Sequence, residues 1–286
     1  MSSKKIVILA DSLSEMGGAE KTLANYAQSL LTEHDVIFMD TEDLSPIHFD
    51  MYSDHIWIVG NFYTLIAGGI LDVFVERVRT YYIISFDYLF CPSRNLEYYR
   101  HLHGAELTYI PYVRRVDEFL GGAKCLFFMS EVQRAKYLQH LKLIKPNRCV
   151  VLGSLISQED LKCIERHVGA EKMDLYCVYH QDTWQKGLEV SVAYCKDHNI
   201  PYEVLPALDY PSFIKKLSSY KGLVFLPRGG DTAPRLIIEA KLLGLELQIN
   251  PNVEHAEESW FLEGRSSIIS HMTSLPDKFL NIINEG

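Results

Sequence analysis

Short apolar runs alternate with longer amphipathic stretches along nearly the whole chain. Residues 5–10, Lys-Ile-Val-Ile-Leu-Ala, are almost unbroken in apolar character, as expected of a strand buried on both faces of a parallel sheet. Over 19–31 the apolar residues Leu23, Tyr26, Ala27, Leu30 and Leu31 fall at helical spacing, and 35–39 reads as a second strand. Together these make one βαβ unit. The pattern predicts further strands at 55–59, 81–85, 107–110, 124–129 and 149–152, with helices over 62–78 and 131–140 between them.

After Leu152 the stretch Gly153, Ser154, Leu155, Ile156, Ser157 reads as a link into a helix over 158–167, and the alternation then restarts. Strands at 175–179, 202–205, 222–226 and 246–249 are interleaved with helices at 187–197, 210–219 and 234–243, and an amphipathic helix follows at 276–283. The expected fold is α/β with two Rossmann-like domains and an interdomain cleft. Residues 1–155 form the first domain and 156–270 the second, with a C-terminal helical segment, 271–286, packing back toward the first. In such sheets ligands lie beyond the carboxyl ends of the strands, so the loops after strands are where chemistry is sought.

At 286 residues the chain is long enough for either one large or two small α/β cores. The net charge of −9, from 37 acidic against 28 basic residues, disfavours a dedicated nucleic-acid binder, which needs clustered Lys and Arg; Arg114-Arg115 is too small a basic stretch to change that. The apolar run after Lys5 is too short for a signal peptide, and no run approaches the roughly 18 apolar residues of a membrane helix, so a cytoplasmic protein is expected. Six cysteines stand singly, with no CxxC or Cys/His cluster, and read as small buried hydrophobes rather than a zinc or disulfide framework.

Three loops carry candidate chemistry. In the first, residues 11–20, Gly17 and Gly18 precede a helix. They either let backbone amides approach an anion such as phosphate or simply shape a tight turn. In the second, residues 226–244, Pro227 ends a strand, Gly229 and Gly230 permit close backbone approach, Asp231 or Thr232 can cap the next helix, and Pro234 suits its first turn. Amides near Thr232 and Ala233 would then face a ligand. Glu239 is the odd carboxylate in an apolar helix, and it must reach solvent or meet a partner such as ligand hydroxyls. In the third, residues 179–187, Lys186 stands at the start of a helix where an ammonium can reach a phosphate, and His180 can donate a hydrogen bond.

Taken together, Gly17-Gly18-Ala19-Glu20, Lys186-Gly187, and Asp231 with Glu239 eight residues on, followed by Ala240 and Gly244, resemble the retaining family 4 glycosyltransferases of the GT-B fold. The resemblance implies that Glu239 binds the donor ribose, Asp231 contacts hydroxyls of the transferred sugar, Lys186 neutralises the diphosphate, and Gly17 and Gly18 lie against the donor. It also implies a first-domain acid facing the sugar, for which Asp87, in the loop after the strand at 81–85, is the candidate. Tyr88, Arg94, Tyr98 and Tyr99 are candidate acceptor contacts. Two departures stand out: the family usually has Glu where this chain has Asp231, and Gly-Arg where it has Tyr179-His180, which leaves Arg228 or Arg235 to supply the arginine.

The expected reaction moves a sugar from a nucleoside diphosphate sugar, UDP- or GDP-linked, to a saccharide or other acceptor hydroxyl, with retention and with no further cofactor. The sequence has no Asp-x-Asp metal motif, so no metal ligands are expected. The competing readings are a sugar-nucleotide epimerase or phosphorylase on the same double fold, a catalytically silent nucleotide-sugar-binding subunit, and a phage-type transferase that glycosylates modified DNA bases.

Overall fold

The apolar run at the start forms strand β1 (Lys5–Ala10), every residue after Lys5 being buried. The structure, a computed structural model, describes residues 3–11, 13, 17–67 and 69–286. Chain order then gives α1 (Gly18–Leu30), β2 (Asp35–Asp40), α2 (Pro46–Met51), β3 (Ile56–Val59), α3 (Tyr63–Ala67), α4 (Leu71–Arg77) and β4 (Tyr81–Ser85). It continues with α5 (Leu96–His103), α6 (Pro111–Gly122), β5 (Cys125–Phe128), α7 (Glu131–His140) and β6 (Cys149–Val151). The six strands are parallel in the order β2-β1-β3-β4-β5-β6. Because β1 has β2 on one side and β3 on the other, its neighbours diverge there, which makes the carboxyl ends of β1 and β3 the topological switch point where open α/β sheets bind ligands.

The second run of alternation gives α8 (Gln158–Glu165), β7 (Met173–Tyr179), α9 (Leu188–Asp197), β8 (Tyr202–Leu205) and α10 (Tyr210–Ser218). It ends with β9 (Tyr220–Phe225), α11 (Arg235–Leu242), β10 (Glu246–Ile249), α12 (Ser259–Leu262) and α13 (Arg265–Glu285). Its parallel sheet has the order β10-β9-β7-β8, so the switch point lies between β7 and β9. The chain divides into two compact units: Met1–Arg94 with Ala105–Leu155 and Ser274–Gly286, and Asn95–Gly104 with Ile156–Thr273. Helix α5, which the sequence puts in the first domain, packs within the second unit.

The first unit is stabilised by an aromatic cluster. Phe74 lies edge-on to Trp57, Tyr81 and Phe119 at ring separations of 5.6, 5.3 and 5.5 Å, and such pairs add about 0.5–1.5 kcal/mol each beyond their buried area. On another face Phe279 of α13 packs on Tyr26 at 5.0 Å and on Phe127 at 5.2 Å, securing the end of that helix within this unit. In the second unit a buried cluster of Val178, Cys195 and Val224 links β7, α9 and β9.

Three sequence expectations change. Residues 107–110 are not a strand: β4 is already flanked by β3 and β5, and only Leu107 of the four is buried, so the segment runs as coil into α6. The expected helix over 62–78 is two short helices, separated where Gly69 takes φ 73°; Gly68, which that expectation included, lies outside the described residues. The C-terminal helix is longer than 276–283, running through Pro276 for 21 residues as α13. No helix among the described residues is long and apolar enough to cross a membrane. The six cysteines are free thiols, all but Cys163 buried.

Candidate functional site

In the second unit two loops meet beyond β7 and β9. The Arg228 N–H donates to the Gln185 carbonyl at 2.9 Å, and the Leu226 N–H to the Ser191 hydroxyl at 3.0 Å, tying the loops together. Gly187 sits at φ 64°, and a Cβ there would overlap the Leu226 carbonyl, so only glycine lets the chain turn into α9 so close to β9. The Lys186 ammonium therefore reaches the Asp231 carboxylate at 2.6 Å. The pair is largely shielded from water, with side chains 25% and 10% exposed, which strengthens its field relative to a surface pair.

Asp231 does not cap α11, and neither does Thr232. The N-cap is Pro234, with no side-chain cap. Instead the Asp231 backbone bridges to Val253: its N–H donates to the Asn252 carbonyl at 2.8 Å, and its carbonyl accepts from the Glu254 N–H at 3.1 Å. The side chains of Asn250 and Asn252 both donate to the Pro227 carbonyl, at 2.9 and 2.8 Å. This anchorage fixes the Asp231 carboxylate and buries Thr232 and Ala233 behind it.

Helix α5 holds the glycine loop from another side. The Gly230 carbonyl accepts from Asn95 Nδ2 at 3.0 Å and from Gln185 Nε2 at 2.8 Å, while its N–H donates to Glu97 Oε2 at 3.0 Å. Gly229 packs so closely on the Asn95 amide that a Cβ would collide with it. The loop thus already holds a carboxylate on a backbone amide, as expected of an anion-binding turn.

Glu239 is buried rather than on a solvated face. Tyr210 OH donates to its Oε1 at 3.1 Å, and Arg235, one turn earlier on α11, approaches the same oxygen at 3.5 Å while pairing with Asp160 at 2.7 Å. Burial pushes the Tyr210 phenol up, and the Glu239 charge adds to that. The Tyr179 phenol is likewise raised by burial, opposed by Lys186 and reinforced by Glu239 and Asp231, so these four side chains share one region. His180 lies edge-on to Tyr179 at 4.8 Å, with its Nδ1 buried and unpartnered. Arg228 pairs with Glu189 at 2.8 Å, an exposed contact worth at most about 1 kcal/mol that an anion can displace.

In the first unit, Gly17 is the N-cap of α1 at φ −70°, an ordinary conformation, and a Cβ on it would meet the Glu20 carboxylate. Gly18 is exposed. Ser12, Ser14, Glu15 and Met16 of that loop lie outside the described residues. Beyond β3, Asn61 Nδ2 donates to Glu20 Oε1 at 3.1 Å. Beyond β4, Asp87 Oδ2 accepts from Arg94 Nε at 2.6 Å, and Arg94 also reaches Asn61 Oδ1 at 3.3 Å. Glu20, Asn61, Asp87 and Arg94 thus form one cluster around the first switch point. Of the candidate acceptor contacts, Tyr88 is fully buried, and Tyr98 packs at a tilt on Trp184 within the second unit at 4.9 Å.

The sequence reading gave no role to Glu20, which it named only within its glycine motif, and did not single out Asn61, Asn95, Glu97, Asp160 or Tyr210. Only Glu20 had an available signal, its place in the first turn after the paired glycines.

No family model matches the chain, and no curated protein sequence matches it. Solved structures do match. Anabaena HepE in complex with UDP-glucose aligns with a TM-score of 0.57 and 11% identity, over 98% of this chain and 97% of that one. An alpha-glucosyltransferase in complex with UDP-glucose and DNA containing an abasic site aligns at 0.51 and 10% identity, over 99% and 93%. The alpha,alpha-trehalose-phosphate synthase (UDP-forming) from Burkholderia vietnamiensis aligns at 0.51 and 8% identity, over 99% and 95%. At these identities the likeness is one of fold: this chain has the α/β, two-Rossmann GT-B architecture.

Proposed function

We propose that this protein is a glycosyltransferase that moves a sugar from a nucleoside diphosphate sugar to an acceptor hydroxyl. The observation that carries the reading is the shielded Lys186–Asp231 pair at the switch point of the second sheet, with buried Glu239 in the same region. Lys186, at the entry to α9, suits a diphosphate. Asp231 and Glu239 suit vicinal hydroxyls of sugar and ribose.

In the reaction the bond from the anomeric carbon to the diphosphate breaks, and its electron pair leaves with the diphosphate. A bond forms from the acceptor oxygen to the same carbon, and the acceptor proton passes to the departing diphosphate. Negative charge grows on that leaving group, so Lys186 acts most strongly in the transition state. The first unit contributes Asp87 as hydrogen-bond acceptor for a substrate hydroxyl. A UDP- or GDP-sugar is the donor class, the outcome is retention, and no metal has a role, because Lys186 supplies the positive charge a metal would bring. The net charge of −9 favours a saccharide over DNA as acceptor. The UDP-glucose bound to HepE and to the alpha-glucosyltransferase agrees with a UDP-sugar donor.

Calorimetry with nucleoside diphosphates tests the donor site. Wild type is expected to bind UDP or GDP, and Glu239→Gln, which keeps the volume and an acceptor for Tyr210, is expected to bind about tenfold more weakly, a loss of about 1.4 kcal/mol. Unchanged affinity would remove Glu239 from the donor site.

A further inference from the structure

Arg94 brings to the loop after β4 something its turn does not require. Its φ of 57° is left-handed, a conformation costing a non-glycine residue about 1–2 kcal/mol. The backbone hydrogen bonds that close the turn do not involve the Arg94 side chain: the Cys91 N–H donates to the Tyr88 carbonyl at 2.7 Å, the Arg94 N–H to the Cys91 carbonyl at 2.8 Å, and the Tyr88 N–H to the Arg94 carbonyl at 3.3 Å. Glycine would close that turn without strain. Backbone held in a costly conformation where an easier residue would serve points to a role for the side chain.

That side chain folds back seven residues to Asp87. An arginine and a carboxylate paired for stability alone prefer a fork, with two nitrogens on two oxygens. Here Nε and a terminal nitrogen both engage Oδ2, and Oδ1 is buried with no donor among the described residues. Asp87 is held by its backbone as well: its carbonyl accepts from Tyr137 OH at 2.7 Å and Gln133 Nε2 at 3.1 Å. An unsatisfied oxygen on so firmly fixed a carboxylate is costly and calls for a ligand donor.

We propose that Arg94 is a positioning residue, gripping Asp87 through Oδ2 alone so that Oδ1 remains to accept a hydrogen bond from a substrate hydroxyl. This rests on the glycosyl-transfer reading above. The arrangement works only while Asp87 is ionised, since a proton on Oδ1 would turn the acceptor into a donor. The groups facing that carboxyl are Arg94 on its own loop, Asp11 at the end of β1, Glu20 on α1, Tyr112 on α6 and Tyr137 on α7. Burial raises the Asp87 carboxyl, Arg94 opposes the rise, and Asp11 and Glu20 add to it. Removing Arg94 therefore raises it further, and activity is lost at a higher pH on the way down.

The test compares wild type, Arg94→Gly and Arg94→Lys by three measurements: UDP and GDP affinity, the pH profile of sugar transfer or donor hydrolysis, and Asp87 titration by NMR of carboxyl-labelled aspartate, assigned with Asp87→Asn. Arg94→Gly is expected to fold, because glycine suits φ 57°, and to keep nucleotide affinity. Its Asp87 titration and the acid limb of its kcat profile should both move up by about one unit or more, with Arg94→Lys in between. An Arg94→Gly carboxyl that titrates as in wild type overturns the clamp, whatever the turnover. A shifted carboxyl with an unmoved kcat profile overturns the catalytic part. Wild type that binds nucleotide but turns over no donor overturns the glycosyl-transfer reading instead, and that result is distinct because the NMR titration needs no turnover.

Discussion

The two units place their candidate residues at the same topological position and fill it with opposite chemistry. In the second unit, the switch point between β7 and β9 pairs a lysine with an aspartate at 2.6 Å, with Arg228 and Arg235 nearby in the same loop and helix, each on a carboxylate partner. In the first, the Asp87 carboxyl feels two further carboxylates, Asp11 and Glu20, and a single arginine. The fold determines where a ligand can sit, and the local charge determines which ligand. On the proposed reading, the three cations of the second unit, each set against a carboxylate, serve the diphosphate, and the carboxylate cluster of the first, with its one unsatisfied oxygen, serves hydroxyl groups.

The largest break in this comparison is expected from Lys186→Ala. It removes the shielded cation that the proposed mechanism assigns to the leaving diphosphate, and transfer should fall about 10²–10³-fold in kcat, measured with a UDP- or GDP-sugar. Retained turnover would mean that Arg228 or Arg235 is the effective cation.

A smaller break, in the other unit, is Asp87→Asn. One charge-assisted hydrogen bond is worth about 1.5–3 kcal/mol, so kcat should fall roughly 10–150-fold. Nucleotide affinity should not change, because Asp87 belongs to the first unit's cluster. A parallel loss of nucleotide affinity would erase the division of labour.

The smallest effect concerns the second unit's fold rather than its chemistry. His255 is fully buried, with both ring nitrogens unpartnered, between Trp260 at 5.5 Å and Phe261 at 4.9 Å. Burial, helped by His271, lowers its pKa to about 3. The neutral ring is the native form, so its contribution is intact above the unfolded value near 6.5 and declines as pH falls from there toward about 3. His255→Phe should keep the packing, shed an unsatisfied N–H costing about 1–3 kcal/mol, and flatten the loss of stability between pH 7.5 and 5 in urea titrations. An unchanged slope would assign the acid sensitivity elsewhere.

Much of the architecture was legible because strand burial is written locally. The runs at 5–10, 81–85, 202–205 and 246–249 coincide with β1, β4, β8 and β10, and 131–140 with α7. Helix α6 is also written in the sequence, in Pro111 at its start and the helical spacing of Val113, Val116 and Leu120. Helix α5 was hidden for a physical reason. Its Asn95 and Glu97 bind Gly230, more than a hundred residues away, and no local pattern announces such a partner.

The site was legible in part for the same reason. Glu239 stands out as an acid in an apolar helix, and the structure accounts for it with Tyr210 and Asp160-bound Arg235, which no spacing rule connects to it. For Asp231 the sequence leaves a helix cap open beside a ligand contact; the structure removes the cap, because Pro234 is the N-cap and the Asp231 backbone bridges to Val253.

The central claim is that the second unit's crevice takes the diphosphate while the first unit's does not, and calorimetry of UDP and GDP against wild type, Lys186→Ala and Asp87→Asn tests it most directly. The account predicts binding to wild type, the same affinity for Asp87→Asn, and at least about tenfold weaker binding for Lys186→Ala, a difference of about 1.4 kcal/mol. Equal affinity in all three proteins, or a loss confined to Asp87→Asn, would contradict it.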